Sequence, residues 1–237
     1  MISVFRAALA IGGSTLIGAG CGFLLHHVNE KWNDAVAAFA AGVMLAAAVF
    51  GLFGPAVDMA AGWSFLLVAA GAAGGALFLR CIAALSGRLG NGVLRKNPEL
   101  MFVLAIALHK FPEGMAGGVG LISMDPAAAL TVVTGIALQN LPEGAVMIPP
   151  LRAAGVRGAA AACIALLTGL LNAAGVFAGA LWGRLPGGLM PFALAFAGGA
   201  MMDVIISSML PRAAGLRGGA MIAMGGFVAM ACINGAF

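Results

Sequence analysis

Charged residues are scarce in this sequence: only 8% of its 237 residues are Asp, Glu, Lys or Arg. Apolar residues make up 62%, and the mean hydropathy is +1.09. These values exclude an ordinary soluble globular domain. Because no polar stretch is long enough to form a second folding unit, we expect residues 1–237 to form a single polytopic transmembrane domain.

Paired cysteines are also missing. The four cysteines are far apart and form no C-x-x-C motif; they are Cys21, Cys81, Cys163 and Cys232. This spacing argues against a disulfide framework or a zinc knuckle, so we expect small core residues. The net charge of +4 would suggest nucleic acid in a soluble protein. Since the basic residues lie near the ends of apolar runs, membrane topology explains them better, and the predicted partner is the lipid bilayer.

Long apolar runs fill most of the chain. A helix of about 20 apolar residues spans a bilayer, and breaks at Gly, Pro and charged residues divide the sequence into eight such runs. Their predicted bounds are 3–25, 35–57, 62–85, 99–121, 126–150, 157–182, 188–210 and 216–236. The sequence therefore predicts an all-α integral membrane protein with eight transmembrane helices joined by short loops.

The distribution of Lys and Arg predicts the orientation in the membrane. With the N-terminus outside, the cytoplasmic side holds Lys31, Arg80, Arg88, Arg95, Lys96, Arg152, Arg157, Arg212 and Arg217. The outer side holds only Arg6 and Arg184. Under the positive-inside rule this bias predicts a cell-membrane protein with both termini outside. His26 and His27 then end the first run on the cytoplasmic side, where they would either receive released metal or complement the helix dipole.

Two related segments in the fourth and fifth runs place polar groups at the level of the hydrocarbon. Ala107–Gly114 reads ALHKFPEG, and Ala137–Gly144 reads ALQNLPEG. On a helix, residues four positions apart share one face. The pairs with this spacing are His109 with Glu113, and Gln139 with Glu143. Ionisable groups inside a span are costly and mark functional sites, and because these spans are antiparallel, the two motifs should meet at one depth.

Each motif also contains a proline in mid-span. Pro112 and Pro142 lack an N–H and crowd the carbonyl four residues back, which predicts kinks that free the oxygens of Leu108 and Leu138. Imidazole suits zinc and other first-row transition metals, and carboxylates also suit Mn²⁺ and Fe²⁺. The absence of a cysteine ligand fits a carrier that must release its cargo, since a thiolate cage would hold zinc too tightly. We therefore predict a metal-cation site at mid-membrane, lined by two kinked spans.

The motif pair, H-x-x-P-E-G followed by N-x-P-E-G in the next span, resembles the ZIP (zinc–iron permease) family of divalent-metal transporters. The segment Phe39–Phe50, FAAGVMLAAAVF, resembles the second span of that family. With the eight predicted spans, the resemblance covers essentially the whole chain. It implies that the thioether of Met44 assists the ligands of the motif pair. It also implies a homodimer that takes up Zn²⁺ towards the cytoplasm, with Fe²⁺, Mn²⁺ or Cd²⁺ as further substrates. The metal would be the substrate of alternating access, and neither a cofactor nor an enzymatic activity is expected.

Lys110 departs from the family pattern. Many members of the family look able to hold a second metal ion beside the first, using an Asn or Asp directly after the histidine. In this chain that position holds the ammonium of a lysine. Asn172 stands where the family often has Glu, and Ser207 and Ser208 stand where an acidic or His pair is often found. We therefore predict one metal site, with Lys110, Asn140 and Asn172 around an unused second metal position.

Asp203 is the remaining charged residue inside a predicted span. It would either line the cation route together with Ser207 and Ser208, or cap a helix break near Gly198 and Gly199. The sequence leaves both interpretations open.

Three other functions fit parts of the pattern. An intramembrane metallohydrolase would need an H-E-x-x-H helix or a comparable three-ligand open site, whereas His109 is the only histidine inside a span. A metal sensor or assembly subunit would need a soluble signalling region, and the loops are too short for one. A proton-coupled transporter of an organic solute is the nearest alternative, and metal-dependent thermal stabilisation would distinguish it.

Overall fold

The computed structural model describes residues 3–25, 30–60, 62, 65–89, 97–184 and 189–236. Within these ranges the regular structure is helical and there is no strand. The expectation of an all-α protein is therefore confirmed. Four residues with predicted cytoplasmic positions lie outside the described ranges, namely His26, His27, Arg95 and Lys96.

Eight helices follow one another along the described ranges, and each coincides with one of the predicted apolar runs to within a few residues. They are α1 Val4–Leu25; α2, made of Glu30–Ala46, a π-helical stretch Ala47–Phe53 and Gly54–Asp58; α3 Phe65–Leu89; α4 Pro98–Ser123; α5 Pro126–Ala153; α6 Gly158–Trp182; α7, made of Met190–Val204, a π-helical stretch Ile205–Met209 and Leu210–Gly215; and α8 Gly219–Ala236.

Six of these helices are long and apolar enough to cross a membrane: α1, α2, α3, α4, α6 and α7. Helix α5 is equally long but carries the polar residues Gln139, Asn140 and Glu143. Helix α8 is apolar and shorter. The chain is thus a multi-pass helical membrane protein.

Side-chain caps define the starts of the two helices that carry the motif pair. Asn97 Oδ1 accepts hydrogen bonds of 3.1 and 3.3 Å from the N–H groups of the second and third residues of α4. Asp125 Oδ1 does the same for α5 at 3.0 and 3.2 Å. In both helices a proline, which has no N–H to satisfy, takes the first position. Both helices then continue as α-helix across Pro112 and Pro142.

The π-helical stretches in α2 and α7 were not foreseen from the sequence. Each is followed two residues later by a proline, Pro55 in α2 and Pro211 in α7. A proline clashes with the carbonyl four residues earlier, and those carbonyls belong to Gly51 and Ser207, inside the stretches. The wider π turn moves these carbonyls away from the ring, whereas α4 and α5 continue as α-helix across Pro112 and Pro142.

The helices pack into two groups of four. In the first group, α4 packs extensively on α6, α1 packs on α5 and α6, and α4 also contacts α5. In the second group, α3 packs on α7 and α2 packs on α8. The groups meet chiefly where α4 contacts α7 and where α2 contacts α5.

Glycines bring helix backbones together inside each group. A Cβ on Gly118 of α4 would overlap the carbonyl oxygen of Val176 in α6. A Cβ on Gly42 of α2 would likewise overlap the carbonyl oxygen of Ala223 in α8. Small residues permit such close approaches between membrane helices, where packing rather than water drives association.

We expect Gly118→Ala to destabilise the protein, because the added methyl group meets backbone rather than the end of a flexible side chain. Overpacking of this kind costs about 1–3 kcal/mol. Gly20→Ala is the matched control on α1, since a Cβ there would have no atom within 4 Å. Thermal unfolding in detergent should give a lower Tm for Gly118→Ala only. Equal Tm values for the two variants would contradict the close packing of α4 on α6.

One expectation from the sequence is wrong. All four cysteines are exposed on the outside of helices rather than being core residues. In a bilayer the lipid-facing surface is as apolar as the interior, so an apolar neighbourhood in the sequence does not identify the core. Arg80, counted on the cytoplasmic side, lies within α3 and inside the predicted run 62–85.

Candidate metal centre

The polar residues of both motifs lie in the interior of the first helix group. Helix α4 supplies His109, Lys110 and Glu113, α5 supplies Gln139, Asn140 and Glu143, and α6 supplies Asn172; we call these seven residues the polar cluster. Each is at most 1% exposed. Polar and charged groups at such depth require partners within the protein or a bound ion.

Lys110 lies at the centre of the hydrogen bonds in the polar cluster. Its Nζ donates to Glu113 Oε2 at 2.9 Å, and also to Glu143 Oε2 and to Asn140 Oδ1. A protonated ammonium has three N–H donors, and these three acceptors use all of them. Lys110 therefore does not reach towards the membrane surface but joins α4 to α5.

Three potential metal ligands converge beside this lysine. His109 Nε2 lies 3.3 Å from Glu143 Oε2. One ligand atom from each of His109, Glu113 and Glu143 can be chosen so that all three lie within 4.8 Å of one another. In a tetrahedral site with metal–ligand bonds of about 2.0–2.2 Å, two ligand atoms of one zinc ion are roughly 3.3–3.6 Å apart. Small inward movements of these side chains would thus be enough to bind a single ion.

Several buried oxygens in the polar cluster accept no hydrogen bond from the described residues. Gln139 donates through Nε2 to Glu113 Oε1, and its own Oε1 is left without a donor. The Oε1 atom of Glu143 is in the same situation. Asn172 donates to Glu113 Oε2 at 3.2 Å, while its Oδ1 has no donor. A buried acceptor without a donor is unfavourable, and a cation would satisfy it.

Asn140 connects the polar cluster to α1. Its Nδ2 donates to the carbonyl oxygen of Ile11 at 2.9 Å, while its Oδ1 accepts from Lys110. The contact with Ile11 could not be predicted, because it is made by a backbone carbonyl, which every residue type has.

Met44 lies in the second helix group. It is fully buried in α2, shortly before the π-helical stretch, and α2 packs against α5. Its role as a thioether ligand stays a prediction.

A constricted space leads from one end of the molecule to the polar cluster. A cavity of about 500 Å³ lies between α2, α5 and α8 at the C-terminal end of α4. A much smaller space of about 10 Å³ shares Gly51, Thr131 and Val132 with it and reaches Glu113 and Gln139. This side of the site is therefore almost closed.

A second cavity, of about 720 Å³, lies at the opposite end between α3, α4 and α7. Its wall includes Leu108, directly before His109, together with Asp203, Ser207 and Ser208. The structure thus brings the three predicted pathway residues to the wall of one cavity.

Asp203 forms an ion pair in this second cavity. Its Oδ1 accepts a hydrogen bond of 2.7 Å from Nε of Arg80. Helix α7 continues through Gly198 and Gly199, so there is no break at that point for Asp203 to cap.

Long-range ion pairs at this end were missed by sequence reasoning. Arg212 lies 3.4 Å from Glu99 Oε2, and its guanidinium stacks 4.2 Å from the centre of the Phe102 ring. Both this pair and the Arg80–Asp203 pair join residues more than one hundred positions apart. Partners at such separations have no local sequence signal.

A multi-pass helical protein with imidazole, carboxylate and amide groups buried between two cavities belongs to the class of cation-binding membrane proteins. No family model matches the chain. The chain is 38% identical to zinc transporter GufA of Myxococcus xanthus over 219 residues, which cover 87% of this chain and 86% of that protein. It is 32% identical to zinc transporter ZIPB of Bordetella bronchiseptica over 218 residues, 84% of this chain and 69% of ZIPB. Similarity to zinc transporter ZIP11 of Homo sapiens is 28% identity over 89% of this chain and 90% of ZIP11.

The chain therefore belongs to the ZIP family, as the motif pair indicated.

Proposed function

We propose that this chain moves a divalent transition-metal cation towards the cytoplasm by alternating access, with Zn²⁺ as the first substrate and Fe²⁺, Mn²⁺ and Cd²⁺ as further ones. The observation that carries this proposal is the convergence of His109, Glu113 and Glu143 inside a group of membrane helices. An imidazole with two carboxylates suits first-row transition metals. The similar proteins GufA and ZIPB are named zinc transporters, which supports Zn²⁺ as the first substrate.

The proposed ligands are His109, Glu113, Gln139 and Glu143, assisted by Met44. The Oε1 atoms of Gln139 and Glu143 accept no hydrogen bond from the described residues, which supports their use as ligand atoms. The metal is the substrate, and no cofactor is required. An intramembrane hydrolase is not favoured, because the similar proteins are named transporters and the sequence has no H-E-x-x-H motif.

We further propose eight spans in a cell membrane, with both termini outside and kinks at Pro112 and Pro142. Helices α5 and α8 pack alongside helices that are long and apolar enough to span, which supports counting them as spans. The cavity lined by Arg80 and Arg212 then faces the cytoplasm, in agreement with the positive-inside rule. Of the six helices that are long and apolar enough to span, α3 is the least buried, and it leaves apolar surface for lipid or for the second subunit of a homodimer.

Alternating access would move the first helix group against the second. The whole polar cluster belongs to the first group, whereas Met44 belongs to the second. Between the groups, a Cβ on Gly135 of α5 would meet only the flexible end of Met230 in α8, in contrast to the backbone contacts within each group. Asp203, Ser207 and Ser208 would then line the exit on the cytoplasmic side.

Uptake of radiozinc into proteoliposomes tests this function. We expect uptake that unlabelled Zn²⁺, Cd²⁺, Fe²⁺ and Mn²⁺ reduce and that Mg²⁺ and Ca²⁺ do not, because the last two prefer sites built from oxygen alone. Zn²⁺ should also raise the Tm of the purified protein, since it binds the folded state. If neither uptake nor stabilisation by zinc is observed, a proton-coupled transporter of an organic solute becomes the better explanation.

A further inference from the structure

Lys110 determines the net charge of the polar cluster in both states of the proposed transport cycle. It is fully buried, and its Nζ contacts both Glu113 and Glu143. Because the ammonium contacts both glutamates, two ionised carboxylates and one ammonium would give the empty cluster one net negative charge. A bound divalent cation changes this to one net positive charge, so the empty and the loaded cluster have charges of equal size.

Removal of the ammonium would make the two states unequal. The empty cluster would then have two negative charges, and the loaded cluster would be neutral. The Born cost of holding charge away from water rises with the square of the charge, so two charges cost about four times as much as one. Without Lys110, the neutral loaded site would therefore be buried away from water at low energetic cost, and the doubly negative empty site at high cost.

We propose that Lys110 permits the empty carrier to return across the membrane, and thereby permits net transport without a returning cation. This inference rests on the proposed transport function and deepens it. Lys110 acts here by compensating charge and not as a metal ligand, because a protonated ammonium has no lone pair to donate. Asn140, one of the three acceptors of the ammonium, donates a hydrogen bond to the carbonyl oxygen of Ile11 in α1. This bond fixes the position of Asn140 and so helps to hold the ammonium in place in the empty state.

Measurements of net zinc uptake and of zinc exchange distinguish the movement of the loaded site across the membrane from the return of the empty site. With unlabelled zinc inside the proteoliposomes, radiozinc enters by exchange and only the loaded site has to cross. With a chelator inside, every net turnover requires the empty site to return. We expect Lys110→Leu, which removes the charge and adds no metal ligand, to lower net uptake at least about ten-fold more than exchange. Lys31→Leu, at an exposed lysine near the start of α2, is the matched control and should leave both fluxes unchanged.

Membrane voltage provides a second measurement that requires no variant. Because the loaded cluster of the wild type has one positive charge, exchange should change at least about three-fold when about 100 mV is imposed across the membrane. A full unit charge that crosses 100 mV changes an equilibrium by up to about fifty-fold. In Lys110→Leu the loaded cluster is neutral, and exchange should not depend on voltage.

Equal losses of net uptake and exchange in a folded Lys110→Leu protein would overturn the proposal, and so would voltage-independent exchange in the wild type. Retained net uptake in the variant would also overturn it, since a proton or another cation would then replace the ammonium. If the variant is not monodisperse, the voltage dependence of the wild type decides alone. If the wild type shows neither net uptake nor exchange, the proposed transport function is contradicted. That outcome is therefore distinguishable from a failure of the proposed role of Lys110.

Discussion

Glutamine in place of Glu113 or Glu143 is expected to lower zinc uptake at least about one hundred-fold while the protein still inserts and folds. Leaving a buried charge without one of its partners costs about 3–5 kcal/mol, and each 1.4 kcal/mol is about a factor of ten in affinity. A dication would lose one of its two carboxylates. The ammonium of Lys110 contacts both carboxylates, and in either variant it still forms an ion pair with the remaining one. The empty cluster is then neutral, and for this reason we expect the variants to fold.

Uptake and zinc-dependent Tm, measured on the same preparation, separate the loss of a ligand from misfolding. Asp58→Asn is the matched control, because it makes the same carboxylate-to-amide change at an exposed position at the end of α2. It should transport like the wild type. Uptake at the wild-type rate by the double variant Glu113→Gln/Glu143→Gln would show that the metal site has been assigned to the wrong residues.

The helices and the polar cluster could be predicted because both depend on local patterns. Apolar runs of about 20 residues mark the helices, and the bounds agree because Asn97 and Asp125 cap their helices just before a proline. The spacing of His109 and Glu113 predicts one helix face. The repeat of the motif in the antiparallel neighbour predicts that the two motifs meet at one depth, and the contact between Lys110 and Glu143 joins them there.

The remaining features depend on contacts between distant parts of the chain. Asp203 was singled out as a charge inside a span, but its partner Arg80 is 123 positions away and had been counted only for topology. The π-helical stretches precede the prolines at positions 55 and 211, but a proline alone does not predict such a stretch, because α4 and α5 continue as α-helix across theirs. The exposure of the cysteines could not be predicted, because both faces of a membrane helix are apolar.

Replacement of the Lys110 ammonium by an oxygen ligand is expected to admit a second metal ion beside the first. The Nζ atom of Lys110 lies among Oε2 of Glu113, Oε2 of Glu143 and Oδ1 of Asn140. Carboxylate and amide oxygens are ligands for divalent cations, and Asn172 Oδ1, which has no donor among the described residues, is one more. In the wild type the ammonium occupies the space between these oxygens and repels a second dication.

Lys110→Asn should therefore raise the number of bound zinc ions per chain from one towards two. Lys110→Glu should do so more completely, because it adds a further negative charge to the site. Lys110→Leu is the matched control: it removes the same charge without adding an oxygen, and it should remain at one ion. Calorimetry gives the stoichiometry, and anomalous scattering gives the positions of the ions. Two ions at the motif pair in the wild type would mean that the ammonium does not take the place of a second cation. A single ion in all three variants would mean that the surrounding oxygens are unable to bind one.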